Sequence, residues 1–311
     1  MKQGMKENSQ LWKTITSTFF AKVDNDFLHS FRKPGGGANS RLAAWDPLDK
    51  SMRYYKFFLF NVARRKDQKF FEAYRRLGNT QIGNPMTVTV SGCQVDIDYL
   101  FALEEYFFLA EHLNMKKLNR VVEIGAGFGR TCHVLLHLVE TIQEYVIVDL
   151  PEVLELSKIY LKKVIPEHFG QITFISSADV NLWTGLSSDL VINIDSFQEM
   201  PPEVIDRYMD KLIACSAAFY CKNPVGKYKP ECVGLSGISS EQLLDVYSLG
   251  YSRQIFDLFN DAELAPAVER YLAAYRPKNM NVAAHMPLEM FPYLEHALYV
   301  RHGASLKGEG Q

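Results

Sequence analysis

The sequence predicts an α/β protein built on a doubly wound seven-stranded sheet, with a mainly helical module ahead of it. Three observations predict this. Short apolar runs alternate with helix-period segments from Leu118 onward. A glycine loop, Gly125-Ala126-Gly127-Phe128-Gly129, joins the first run to the helix after it. An acid, Asp149, closes the second run about twenty residues beyond that loop, the spacing of a ribose-binding acid in a βαβ unit.

Residues 1 to about 50 carry few regular signals; Pro34-Gly35-Gly36-Gly37 and Trp45-Asp46-Pro47 are breaks. No strand precedes the glycine run, so it reads as a linker and not as a phosphate cradle. From Lys50 to Arg76 the pattern is helical, with Tyr54, Phe57, Phe58, Val62, Phe70, Phe71 and Tyr74 at spacings of three and four. Such a stripe is first of all a packing face. Val88 to Val90 is a short strand, and Asp96 to Leu113 a second amphipathic helix.

Strands are predicted at Arg120–Ile124, Tyr145–Val148, Ile172–Ile175, Leu190–Ile194 and Ala217–Cys221. Helices are predicted from about Arg130 to Glu140, Val153 to Val164 and Pro202 to Ala214. Arg253–Leu258 and Ala297–Val300 supply the sixth and seventh strands as a closing hairpin. This organises the chain as a helical substrate or dimerisation module over 1–117, a ligand-binding domain over 118–303 and a frayed tail over 304–311.

With 311 residues, 47% hydrophobic and 23% charged, the chain can bury a sizeable core. A formal charge of −2 argues against a nucleic-acid surface, which needs concentrated Lys and Arg. The five cysteines (Cys93, Cys132, Cys215, Cys221, Cys232) show no CxxC spacing, so neither a disulfide framework nor a zinc knuckle is expected. No metal site, targeting segment or membrane span is expected, and the predicted location is cytoplasmic.

The glycine loop separates two ligand classes. A dinucleotide loop, GxGxxG, requires glycine at 130, where this chain has Arg130. The pattern Glu123-Ile124-Gly125-Ala126-Gly127-Phe128-Gly129 instead places an acid two residues before the first glycine. That carboxylate suits a sulfonium cofactor with a cationic amino-acid tail and repels a pyrophosphate. Side chains at the glycine positions would collide with a bound ligand. Asp149 is expected to accept hydrogen bonds from ribose hydroxyls, the alternative being the N-cap of the helix after Pro151. Asp179 and Val180, after the third strand, are expected to read an adenine edge, or else to form a plain turn.

The Glu123–Gly129 loop, the Val148-Asp149-Leu150-Pro151 turn and the run from Asn193 to Pro201 resemble class I methyltransferases. Together with Tyr220–Pro224 and His296–Tyr299, they resemble more narrowly the bacterial sugar O-methyltransferases. The resemblance covers about residues 80 to 302. It implies a Rossmann-like methyltransferase sheet, S-adenosyl-L-methionine as cofactor and a sugar or glycoside as the small-molecule acceptor, with a homodimer as an option. Glu123, Gly125, Ala126, Gly127, Gly129, Asp149, Leu150, Asp179, Val180, Asp195 and Ser196 are the cofactor contacts so expected.

Methyl transfer to a hydroxyl needs in-line alignment, exclusion of water and removal of a proton. Related small-molecule enzymes often carry a histidine after the fourth strand; by alignment that position is Gln198, which cannot accept a proton. Glu199 and Asp195 are the nearest carboxylates, with Glu199 equally suited to capping the helix at Pro202. Gln198 is suited to orienting an acceptor hydroxyl. His285 and His296 are outlying alternative bases, Lys222 and Asn223 candidate substrate contacts, and Tyr54, Tyr55, Phe57 and Phe58 candidate stacking surfaces. Three other functions stay open: methylation of a phenol or amine, a cofactor-binding subunit without transferase activity, and an NAD-dependent oxidoreductase, which Arg130 disfavours.

Overall fold

The structure, a computed structural model, describes residues 52–179, 182, 186–233 and 239–302. The expectations for the glycine run at 35–37, for Val180 and for the tail from 304 lie outside these residues. The chain divides into two compact units, residues 1–59 and 60–311.

Within the stretch read as helical from Lys50 to Arg76, the described residues form two helices, α1 (Met52–Ala63) and α2 (Gln68–Leu77). α1 ends at Ala63 in a turn over residues 64–66, and the Asp67 carboxylate accepts the Phe70 N–H at 2.9 Å to start α2. α1 buries Leu59, Val62 and Ala63, and α2 buries Phe70, Phe71 and Tyr74.

A hairpin follows, β1 (Val88–Val90) and β2 (Cys93–Val95), turned by Ser91 and Gly92, both at positive φ. Asp96 caps α3 (Ile97–His112) by accepting the Tyr99 N–H at 3.0 Å. The alternating region runs β3 (Arg120–Ile124), α4 (Arg130–Leu138), β4 (Glu144–Asp149), α5 (Pro151–Val164), β5 (Ile172–Ser176), β6 (Ser188–Ile194), α6 (Pro202–Lys211) and β7 (Ser216–Pro224). The remainder comprises β8 (Lys227–Tyr228), α7 (Ser240–Ser248), β9 (Ile255–Phe256), α8 (Asp261–Ala274), β10 (Met280–Pro287) and β11 (Leu294–Arg301).

Seven strands form one sheet in the order β10-β11-β7-β6-β3-β4-β5. From β5 to β7 neighbours are parallel; β11 is antiparallel to both β7 and β10. The chain winds outward from β3 in both directions, which gives the doubly wound, seven-stranded Rossmann-like sheet expected from the sequence. The strands alternate their buried side chains between two cores, as the period of two requires. Val121, Tyr145, Leu190 and Tyr220 face α3, α4 and α5, while Val122, Val146, Val191 and Phe219 face α6 and α8.

The sixth strand differs from expectation. It is Met280–Pro287, and Arg253–Leu258 yields only the two-residue β9, paired with β8. β10 is an edge strand with mostly exposed side chains, and its Asn, Ala and His residues give no apolar run to read. No helix among the described residues is long and apolar enough to cross a membrane.

Candidate ligand cleft at the switch point of the sheet

The winding reverses between β3 and β6, so their carboxyl ends open a crevice. A cleft of about 660 Å³ lies there, lined by the glycine loop, the β4–α5 turn and the segment after β6. That volume suits a small-molecule ligand.

All three loop glycines have positive φ: Gly125 at 72°, Gly127 at 59° and Gly129 at 95°. Their neighbours differ. A Cβ on Gly125 would stand 2.3 Å from Ser196 Oγ, and one on Gly129 would stand 2.7 Å from Leu161 Cδ1. A Cβ on Gly127 would meet nothing within 4 Å and would enter the cleft. The expectation that a ligand excludes side chains at all three positions is therefore corrected. Gly125 makes room for the neighbouring loop, Gly129 for α5, and Gly127 alone faces open space. Ala126 packs against the core.

Asp149 ends β4 on the cleft wall. Its carboxylate accepts the Gly127 N–H at 3.0 Å and the Leu150 N–H at 2.7 Å. Burial raises its pKa, and those two donors oppose the rise. It does not cap α5, whose N-cap is Leu150. Leu150 and Pro151 continue the wall, which Ser177 and Ala178 extend. Asp179 sits one residue further along, exposed, in a turn whose N–H bonds Ser176 O at 2.9 Å, and it does not line the cleft.

Glu123 is also placed differently from the expectation. It is a core residue, 2% exposed, whose carboxylate accepts the Tyr145 hydroxyl at 2.7 Å. Burial pushes its pKa to about 7. A carboxyl so enclosed meets Tyr145 and not a ligand's cationic tail.

The segment after β6 is held by a buried amide network that sequence reasoning missed. Asn193 donates to Ile124 O at 3.0 Å and to Ser196 Oγ at 2.6 Å. Asn223 donates to Asn193 Oδ1 at 2.8 Å and accepts the Gln198 N–H at 3.3 Å. The available signal was an asparagine inside an otherwise apolar strand, since a buried amide must find partners. Asn223 is thus a scaffold residue and not a substrate contact.

Within this segment Asp195 has φ 58°, in the left-handed region. Its N–H bonds Lys222 O at 2.7 Å, and its Oδ1 accepts the Gln198 side-chain amide at 2.5 Å. Desolvation raises its pKa, with Lys222 acting in the opposite direction. Ser196 and Glu199 line the cleft, whereas Asp195 and Gln198 stand beside it. Glu199 does not cap α6, whose N-cap is Pro201.

Lys222, 2% exposed, donates to the fully buried Glu105 at 2.5 Å. Arg130 turns its guanidinium to the same carboxylate, at 3.0 and 3.3 Å, and to Asp98 O at 3.0 Å. His285 is exposed and pairs with Glu295 at 2.7 Å. His296 shares a 2.7 Å hydrogen bond with the Tyr220 hydroxyl, and burial pushes its pKa to about 3. Neither histidine lines the cleft, whose described carboxylates are Asp149 and Glu199. Among the described residues no cluster of three His, Cys, Asp or Glu side chains could hold a metal ion.

No protein-family model matches this sequence, and no curated protein matches it. Among solved structures, the mitomycin 7-O-methyltransferase MmcR resembles it with 12% identity and a TM-score of 0.42, over 78% of this chain and 62% of that one. The pyocyanin biosynthetic protein PhzM resembles it with 12% identity and a TM-score of 0.40, over 78% and 64% respectively. The match thus spans less than two thirds of each of these proteins. The glycopeptide N-methyltransferase MtfA, solved with S-adenosyl-L-methionine, shows 14% identity and a TM-score of 0.41 over 65% of this chain and 87% of its own. The fold of this chain is assigned by its own strand order, β10-β11-β7-β6-β3-β4-β5.

Proposed function

We propose that this chain is an S-adenosyl-L-methionine-dependent O-methyltransferase acting in the cytoplasm on a hydroxyl of a sugar or glycosylated small molecule. The observation that carries the cofactor reading is the conjunction of Gly127 and Asp149 at the switch-point cleft. Gly127 leaves its Cβ volume open to a ligand, and Asp149 presents a carboxylate at the end of the second strand, where a ribose diol donates. Leu150 and Pro151 add an apolar flank suited to a purine. These residues fit an adenosyl ligand. Position 130 opposes a dinucleotide, because Arg130 replaces the third glycine and its guanidinium is occupied by Glu105 and Asp98.

When bound, the cofactor supplies an activated methyl group. The chain's residues do the rest. Asp149 and the Gly127 backbone fix the adenosyl end. Glu199, the cleft carboxylate on the acceptor side, removes the hydroxyl proton, while Gln198, tied to Asp195, orients the acceptor. Met200, Pro201 and Val204 line the same wall with apolar atoms and restrict water. The sugar class rests on the sequence resemblance at Asn193–Pro201, Tyr220–Pro224 and His296–Tyr299.

The test is calorimetry with S-adenosylhomocysteine and, separately, NADH. Heat with the first and none with the second supports the cofactor reading; the reverse overturns it. A radiolabelled-methyl assay over nucleotide sugars, aminoglycosides and phenols then tests the acceptor. Transfer to phenols alone removes the sugar reading.

A further inference from the structure

Phe128 is the bulky side chain of the glycine loop, set between Gly127 and Gly129. Its ring meets that of Tyr160 edge to face, with centroids 4.9 Å apart. The next residue of α5, Leu161, is the one that Gly129 accommodates. Two successive side chains of α5 therefore seat the loop, and whatever fixes Tyr160 bears on where the Gly127 backbone stands.

Tyr160 belongs to a polar chain that links four helices. Its hydroxyl lies 2.7 Å from that of Tyr99 on α3, and Tyr99 in turn lies 2.5 Å from Nδ1 of His133 on α4. The other ring nitrogen of His133, Nε2, stands 3.1 Å from the carbonyl of Leu77, the last residue of α2. The direction of every bond follows from that last one. A carbonyl only accepts, so Nε2 carries the proton and donates to it. In a neutral ring Nδ1 is then an acceptor, and the Tyr99 hydroxyl donates to it. With its single proton so engaged, Tyr99 accepts from Tyr160.

His133 and Tyr99 are both fully enclosed. Burial pushes the imidazole pKa down to about 4, and His137, its ring 5.2 Å away on the same helix, adds to the fall. The Leu77 carbonyl and Glu167, just after α5, oppose it. The ring is accordingly neutral at ordinary pH. Burial also raises both phenol pKa values, with Asp96 facing both rings, Tyr74 facing Tyr99 and Asp98 facing Tyr160. The two hydroxyls thus keep the protons that the chain of bonds requires.

We propose that His133 is a positioning residue for the glycine loop. Its Nδ1 makes Tyr99 an acceptor for Tyr160, and Tyr160 so held seats Phe128 and sets the Gly127 backbone on the cleft wall. His133 itself does not line the cleft. That the seated loop receives S-adenosyl-L-methionine rests on the methyl-transfer reading; the seating itself does not.

Substitution separates the two nitrogens of His133. Asparagine places its carbonyl oxygen near the Nδ1 position and keeps an acceptor for Tyr99, while glutamine places its amide near Nε2 and keeps a donor for Leu77. Each variant loses one buried hydrogen bond, so a merely structural residue would show the same defect in both. The probe is the Gly127 amide resonance in the full chain without ligand, with isotope-labelled glycine and with Gly127→Ala for assignment. It should move in His133→Gln and in Tyr160→Phe, which keeps the ring and removes the hydroxyl, and stay near wild type in His133→Asn. Tyr160 is only partly buried, so its variant gives a reading even should the His133 variants not fold. Affinity for S-adenosylhomocysteine, read by calorimetry, should fall about threefold or more in the first two and hold in the third.

An unmoved Gly127 resonance in His133→Gln or in Tyr160→Phe overturns the proposal. So does a resonance that moves as far in His133→Asn as in His133→Gln. The two levels fail separately. A wild type that does not bind S-adenosylhomocysteine removes the methyl-transfer reading and leaves the resonance test of the seating in force, whereas an unmoved resonance in a binding-competent protein removes only the positioning role.

Discussion

Substituting alanine at the three loop glycines one at a time should give three different phenotypes. Each residue is held at positive φ, where a Cβ costs about 1–2 kcal/mol of backbone strain. At Gly127 nothing else is added, because no heavy atom stands within 4 Å of the new methyl. At about 2–4 °C per kcal/mol for a domain of this size, Gly127→Ala should melt about 2–8 °C below wild type. The methyl enters the cleft, so affinity for S-adenosylhomocysteine should fall at least about tenfold, equivalent to about 1.4 kcal/mol. At Gly125 the methyl meets Ser196 Oγ at 2.3 Å, in a side chain fixed by Asn193. Overpacking adds about 1–3 kcal/mol there, and stability should fall further. At Gly129 the obstacle is the side-chain end of Leu161, which has rotatable bonds that the Ser196 site lacks through its tie to Asn193, and the loss should be intermediate. Thermal melting ranks the three variants, and calorimetry reads affinity in those that fold. A folded Gly127→Ala protein with wild-type affinity would refute the placement of the cofactor. A Gly125→Ala protein as stable as Gly127→Ala would refute the packing account of the loop.

Asp149→Ala should weaken S-adenosylhomocysteine binding about tenfold or more, because it removes a charged acceptor and frees the Gly127 N–H, with calorimetry as the check. Glu199→Gln should depress single-turnover methyl transfer about 10²-fold or more while leaving cofactor affinity within about threefold, and an unchanged rate would remove Glu199 as the base. Glu123 predicts a pH dependence of stability. Its folded pKa, about 7, lies above the ordinary 4.5, so the folded state holds a proton that the unfolded state releases between those values. Wild-type stability should therefore fall as pH rises from about 4.5 to 7. Glu123→Gln, which keeps an acceptor for Tyr145, should gain on wild type across the same interval by up to about 3 kcal/mol. Urea melts at pH 5 and pH 8 test this, and a gap that does not widen with pH would contradict it.

Much of the fold was legible along the chain because a doubly wound sheet writes itself locally. Val121-Val122, Val146-Ile147-Val148 and Val191-Ile192 are buried on both faces and read as continuous apolar runs. The loops between them carry Gly, Asp and Pro, whose backbone preferences are local. β10 was missed for the opposite reason: an edge strand buries little, so its sequence carries little pattern. The break ahead of Asp67 was not marked out because helical spacing continues in register across a cap.

The sequence by itself determined where a ligand could sit. The order of strand, glycine loop, helix, strand and acid is a property of neighbouring residues, and chain connectivity alone carries Gly127 and Asp149 to the same edge of a sheet. Only the tertiary structure decided what each polar residue does once there. Glu123 and Asp149 are both acids at strand ends, yet one is enclosed by Tyr145 and the other opens on the cleft. Glu105 and Lys222 lie 117 positions apart and meet only because α3 packs across the sheet. Burial and pairing depend on which surfaces face each other, and that information exists only when the chain has closed on itself.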